Sequence, residues 1–178
     1  MATGRGNHLT KQIGEYLVAA ELGRRGYIAA TFSGNVPDYD IVATDEEFRS
    51  ILIQVKAING SAWQLDIRRF VDVSLDGKKQ VLGARIKAPR KIVCVMVALT
   101  EYGTDRFFIL EWSRLQNLLV RHYQAHLDRM GGVRPKKFDS YHVAIKEEQL
   151  RPYKDNWQLL HKAAAIPRST RKARTTGT

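Results

Sequence analysis

The chain is expected to form a mixed α/β domain, with a largely antiparallel or mixed sheet flanked by helices. Three observations lead there. Residues 8–25 carry apolar side chains at helical spacing and end on Gly26. Short apolar runs separated by turn-forming segments follow up to Leu110. A second helical pattern runs from Glu111 to Arg129, ahead of a small strand and a helical close.

The totals bound the rest. A length of 178 residues fits one domain. We expect it over residues 1–166, with a core at about 8–112, a C-terminal helical and strand extension at 113–166, and a basic disordered tail at 167–178. Apolar residues make up 44%, enough for a sizeable core. No apolar run reaches the ~18 residues of a membrane span, and Met1 to Thr10 carries no apolar signal core. The single Cys94 lies inside an apolar strand-like run, as a core thiol in a reducing compartment would. A cytoplasmic protein is the expectation. Net charge is +11 and the isoelectric point is near 9.9, which suggests a polyanionic partner, nucleic acid before an anionic membrane surface. Arg168, Arg171, Lys172 and Arg174 supply four of those charges from the tail, so the folded part is basic as well.

Taken in order, the first helix carries Ile13, Leu17 and Ala20 on one face, with Tyr16 beside them. Glu15 shares the opposite side with Ala19 and Leu22, which leaves it either partly buried or solvated. Tyr27 to Phe32 reads as a first strand, and Ser33-Gly34-Asn35 as a turn. Pro37-Asp38-Tyr39-Asp40-Ile41-Val42 and Ile51-Leu52-Ile53-Gln54-Val55-Lys56 read as two strands joined by a polar loop over residues 43–50. Trp63 to Ile67 is another strand, followed by Arg68 and Arg69; Phe70 to Val73 continues it or starts the next. Asp76-Gly77 is a turn signal. The following segment is basic, with Lys78, Lys79, Arg85, Lys87, Arg90 and then Lys91. Ile92 to Leu99 is the most apolar strand, expected at the centre of the sheet, with Arg106 to Leu110 as its hairpin partner. Leu115, Leu118, Leu119 and Tyr123 form the buried stripe of the second helix. Tyr141 to Ile145 is a short strand, and one or two short helices follow before Leu160, docked by Trp157, Leu159 and Leu160.

Chemistry concentrates in the hairpin. Strand residues alternate faces, so Gln54 and Lys56 point one way and Val55 the other. Pairing the strands brings Asp40 beside Gln54 and Lys56. A lysine on such an apolar hairpin is costly without a partner or a task. Phosphodiester hydrolysis needs an activated water and charge stabilisation on the phosphoryl oxygens. A divalent metal supplies both, and Mg2+ takes hard oxygen ligands. Asp40 offers a carboxylate, Gln54 its amide oxygen and Val55 its backbone carbonyl, with Glu15 reaching the metal through a water. Lys56 would orient the attacking water and offset charge.

With Glu15, Asp40, Gln54 and Lys56 in this order and on these elements, residues 8–112 resemble the PD-(D/E)XK nuclease superfamily. The resemblance implies a restriction-endonuclease-like core, a metal-dependent endonuclease acting on DNA, and Mg2+ or Mn2+ as cofactor. It departs at one position. Gln54 stands where the family's acidic residue stands, similar to Mrr-type enzymes. That removes one negative charge and keeps open a catalytically silent module that binds nucleic acid or a protein partner. Arg68, Arg69, the basic residues from Lys78 to Lys91 and the tail would contact the nucleic acid; RNA is the alternative to DNA. A homodimer would supply the two sites that cutting a duplex requires. His122 and His126 lie four apart on the second helix, but no Glu or Cys completes a zinc set, so they read as a solvated face.

Overall fold

The computed structural model describes residues 4–32, 38–87 and 91–164. The turn at Ser33-Gly34-Asn35, Pro37, Arg90, and the tail with Arg168, Arg171, Lys172 and Arg174 lie outside those residues.

Helix α1 spans Gly4–Arg24. It ends where Gly26 adopts φ +82°, a conformation that costs glycine little. Tyr27 N then donates to Leu22 O and Gly26 N to Gly23 O, which closes the last turn. The face this helix buries is the one that carries Glu15. Gly14, Val18 and Leu22 are buried, whereas Ile13 and Tyr16 are 46% and 56% exposed and Ala20 is exposed too. Apolar residues lie on both sides of the helix, so periodicity alone picks no side. The rest of the chain decides.

Strands β1 (Ile28–Thr31), β2 (Ile41–Thr44), β3 (Ser50–Ile58), β7 (Ile92–Ala98) and β8 (Arg106–Glu111) form a five-stranded sheet in the order β1-β2-β3-β7-β8. All neighbours are antiparallel except β3 and β7, which run parallel. The sheet is therefore mixed, as expected. Every residue of β7 is buried, as an unbroken apolar run in an interior strand should be.

Each sheet face carries a core. Val18 and Leu22 of α1 pack with Ile41, Ile53, Val55, Val93 and Val95 on one side. Leu115, Leu119 and Tyr123 of α2 (Trp112–Arg129) pack with Cys94, Met96, Phe108 and Trp63 on the other. Trp157, just before helix α4 (Gln158–Ala164), and Leu160 within it dock on the α1 side.

Between β3 and β7 the chain leaves the sheet. Strand β4 (Trp63–Asp66) ends one residue before the expected strand does, because the Asp66 side chain accepts from Arg68 N and caps a 3-10 turn over Ile67–Arg69. Strand β4 pairs instead with β9 (His142–Ile145). Much of the basic segment is itself a strand: β5 (Val71–Asp76) and β6 (Lys79–Arg85) form a hairpin around Asp76-Gly77. Helix α3 (Glu147–Leu150) and a 3-10 turn at Arg151–Tyr153 precede α4. Among the described residues no helix is long and apolar enough to cross a membrane.

Candidate active site at the open end of the β2–β3 hairpin

Register places the acid. Ile41 pairs with Ile53, so Asp40 stands one step before β2, opposite Gln54, and its N–H donates to Ile53 O at 2.8 Å. Beyond that point the Asp40 carboxylate takes over from the ladder. Its Oδ2 accepts from Val55 N at 2.8 Å. The carboxylate is thus fixed by a backbone donor, and Oδ1 is turned to other partners. A strand residue presents its N–H and C=O to the same edge, so the Val55 carbonyl also faces the Asp40 side.

Gln54 is 6% exposed, and its Nε2 donates to Asp38 O at 3.1 Å. A carbonyl can only accept, so the nitrogen end of the amide must face Asp38. The oxygen end is turned away from that carbonyl. Asp38 itself holds φ +74°, in the left-handed region that Asp tolerates better than most residues. The Gln54 amide braces this turn, which delivers Asp40 to the strand.

Glycine places the second acid. A Cβ built on Gly14 would lie 2.4 Å from Ala57 Cβ and 3.6 Å from Val55 Cγ1. Only a residue without a side chain lets α1 approach β3 this closely, and that approach carries Glu15 to the hairpin end. The Glu15 side chain is 12% exposed, and its Oε1 is buried without a hydrogen-bond partner. Lys11, one turn earlier, brings Nζ to 3.5 Å from Glu15 Oε1 and 3.6 Å from Asp40 Oδ1. These are charge contacts only. The Glu15 oxygen gains no hydrogen bond from its neighbour.

Lys56 is half-buried, and its backbone carbonyl accepts from Trp63 Nε1 at 2.8 Å. Trp63 is itself buried against Phe108, a core residue as expected. Burial pushes the Lys56 ammonium below the ordinary lysine range. Asp40 opposes that shift, while Arg69 and Lys11 add to it. Lys56, Asp40, Arg69 and Lys11 therefore share one electrostatic neighbourhood.

The remaining candidates sit differently. Arg68 is tied to Asp66 at 2.6 Å and its guanidinium lies over the Tyr141 ring. Arg69, Lys78, Lys79, Lys87 and Lys91 are exposed, and exposed Arg85 contacts Asn117. His122 lies within hydrogen-bond reach of Gln149, away from any metal set. Among the described residues no group of three or more His, Cys, Asp or Glu is gathered as a metal site. The candidate donors are two carboxylates and two neutral oxygens. Reasoning from sequence missed Lys11, whose only signal is its place four residues before Glu15, and Gly14, which gives none without its neighbour Ala57.

No family model and no curated protein matches the chain. Among solved structures it is similar to a bacterial homing endonuclease, I-Ssp6803I, with a TM-score of 0.50 and 13% sequence identity. The similarity covers 87% of this chain and 93% of that one. The chain therefore has an endonuclease-like fold, a mixed α/β architecture with a central mixed sheet flanked by helices.

Proposed function

We propose that the protein is a metal-dependent nuclease of the PD-(D/E)XK type that hydrolyses phosphodiester bonds in DNA. The observation that carries this reading is the meeting of Asp40, Glu15 and Lys56 at one hairpin end, with an orphaned, buried Glu15 oxygen among them. A buried acceptor without a donor costs about 1–3 kcal/mol, which a cation would recover. The donors fit a hard divalent ion such as Mg2+ or Mn2+: Asp40 Oδ1, the Gln54 amide oxygen and the Val55 carbonyl, with Glu15 through a water. When bound, the ion would neutralise charge on the phosphoryl oxygens and acidify a water.

The chain's own residues supply the rest. Backbone N–H of Val55 holds the Asp40 carboxylate in one orientation, so that group needs no reorganisation when substrate arrives. Lys56 orients the attacking water and offsets the charge that builds on the phosphate. Trp63 fixes the backbone from which Lys56 projects. Arg69 adds positive charge beside it. The exposed lysines of the β5–β6 hairpin and its flanks would hold the DNA backbone, with affinity that falls as salt rises. Two copies of the chain would supply one site for each strand of a duplex.

Incubating the protein with plasmid, linear, branched and single-stranded DNA, with and without Mg2+ or Mn2+, tests the reading. Metal-dependent cleavage is expected, reduced by about 10^3-fold in both Asp40→Ala and Lys56→Ala. Cleavage that persists in either variant contradicts it. A second reading rests on Gln54, whose amide braces Asp38 instead of adding a charge. In that case the site is silent and the domain binds nucleic acid without cutting it. Intact binding with no cleavage in any metal selects that reading, and a preference for structured RNA makes the substrate RNA.

A further inference from the structure

Lys11 occupies the gap between the two carboxylates. Its Nζ lies at nearly equal distance from Glu15 Oε1 and Asp40 Oδ1, at 3.5 and 3.6 Å. Val55 N holds the other Asp40 oxygen, Oδ2, and Glu15 Oε1 is buried without a hydrogen bond among the described residues. The Lys11 side chain is 46% exposed, whereas both acids are 12% exposed. A long, flexible cation thus reaches in from solvent and balances two nearly buried charges without being locked to either.

We propose that Lys11 is a tethered competitor for the divalent metal. Its ammonium compensates Glu15 and Asp40 in the metal-free protein and has to withdraw before an ion can use the same oxygens. This rests on the metal site of the proposed nuclease. Loose contacts suit the task. Withdrawal breaks no hydrogen bond among the described residues, and the exposed stem has open solvent to move into. The site then need not leave two carboxylates to Lys56 as their sole compensating lysine between turnovers, a state that is costly at this degree of burial. The cost is metal affinity. The ion must displace a cation, and it meets one less unit of net negative charge while Lys11 remains near.

A purely structural Lys11 makes the opposite forecast. If its role were to hold the two acids in place, removing it would loosen the donors and weaken metal binding. The sign of the change therefore separates the two roles. Mn2+ titrations, followed by calorimetry and by the signal of free Mn2+, would be run on the full-length protein and on Lys11→Met, Lys11→Arg and Asp40→Ala. Lys11→Met keeps the apolar stem and loses the charge; it is expected to bind Mn2+ about fivefold more tightly or better. Lys11→Arg, which keeps the charge, is expected to stay near the wild-type affinity. Unchanged or weaker binding in a folded Lys11→Met protein, beside measurable binding in the wild type, overturns the role of Lys11 and leaves the metal site standing. No Asp40-dependent binding in any of these proteins overturns the metal site, and the competitor with it.

Discussion

The protein treats buried polar groups in two ways. On the α2 side of the sheet the buried amides of the described residues are hydrogen-bonded. Gln116 is 7% exposed, and its Nε2 donates to Phe70 O at 2.6 Å and Ile86 O at 2.8 Å. Gln80 is 4% exposed; its amide donates to the carbonyls of Phe138 and Ser140, and its oxygen accepts from the Tyr123 hydroxyl. At the open end of the β2–β3 hairpin the same chain leaves a Glu15 oxygen orphaned and a lysine half-buried against its preference for water. The first arrangement holds irregular backbone together. The second balances charge through the loose contacts of Lys11 alone and leaves a buried acceptor without a hydrogen bond, as the proposed metal site would.

Substitutions sharpen that contrast. The largest stability effect is expected from Gln116→Leu, which takes the side-chain donor from the Ile86 carbonyl and leaves Phe70 O with the Ile86 N–H alone, and should cost about 1–3 kcal/mol in urea unfolding. Its Mn2+-dependent behaviour should survive wherever the protein is folded. A comparable loss of site function at low denaturant would show that the two regions are not separate.

Gly14→Ala comes next. Alanine favours a helix by about 1 kcal/mol over glycine, but the overlap with Ala57 Cβ at 2.4 Å outweighs that gain. A net loss of about 2 kcal/mol is expected, together with weaker cleavage as α1 carries Glu15 away. Partial recovery of both in Gly14→Ala with Ala57→Gly would assign the damage to this one contact.

Glu15→Gln should barely move stability, by less than about 1 kcal/mol, because the buried oxygen it changes, Oε1, accepts no hydrogen bond among the described residues. Cleavage, by contrast, should fall about 10–100-fold, as for a group acting on a metal through a water. A stability loss as large as that of Gln116→Leu would make Glu15 a structural residue. Least affected by any probe should be Cys94. Burial pushes its thiol up to about 12, so at pH 8 the folded protein should resist maleimide and react only on unfolding.

Much of this was legible before the fold was known. Strand alternation puts Gln54 and Lys56 on one face, and the hairpin register sets Asp40 opposite Gln54. Uninterrupted apolarity marks β7 as an interior strand. Other features need three dimensions. Helix α1 carries apolar residues on both faces, and its packing on the sheet, with Gly14 against Ala57 and Val18 and Leu22 in the core, selects the buried one. Strand β6 is masked by Lys79, Arg85 and the lysines that flank it, since one partner strand suffices to hold it outside the central sheet. Lys11 looks like any surface lysine until the hairpin brings Asp40 to it.

The central claim is that the hairpin end holds its polar groups ready for a divalent cation. Thermal unfolding with and without Mn2+, for wild type beside Asp40→Ala, tests it most directly. A ligand bound by the folded state alone raises the melting temperature. The expected result is a rise for the wild type that grows with Mn2+ concentration and is absent in Asp40→Ala. Equal rises in both proteins, or none in the wild type, would contradict the account.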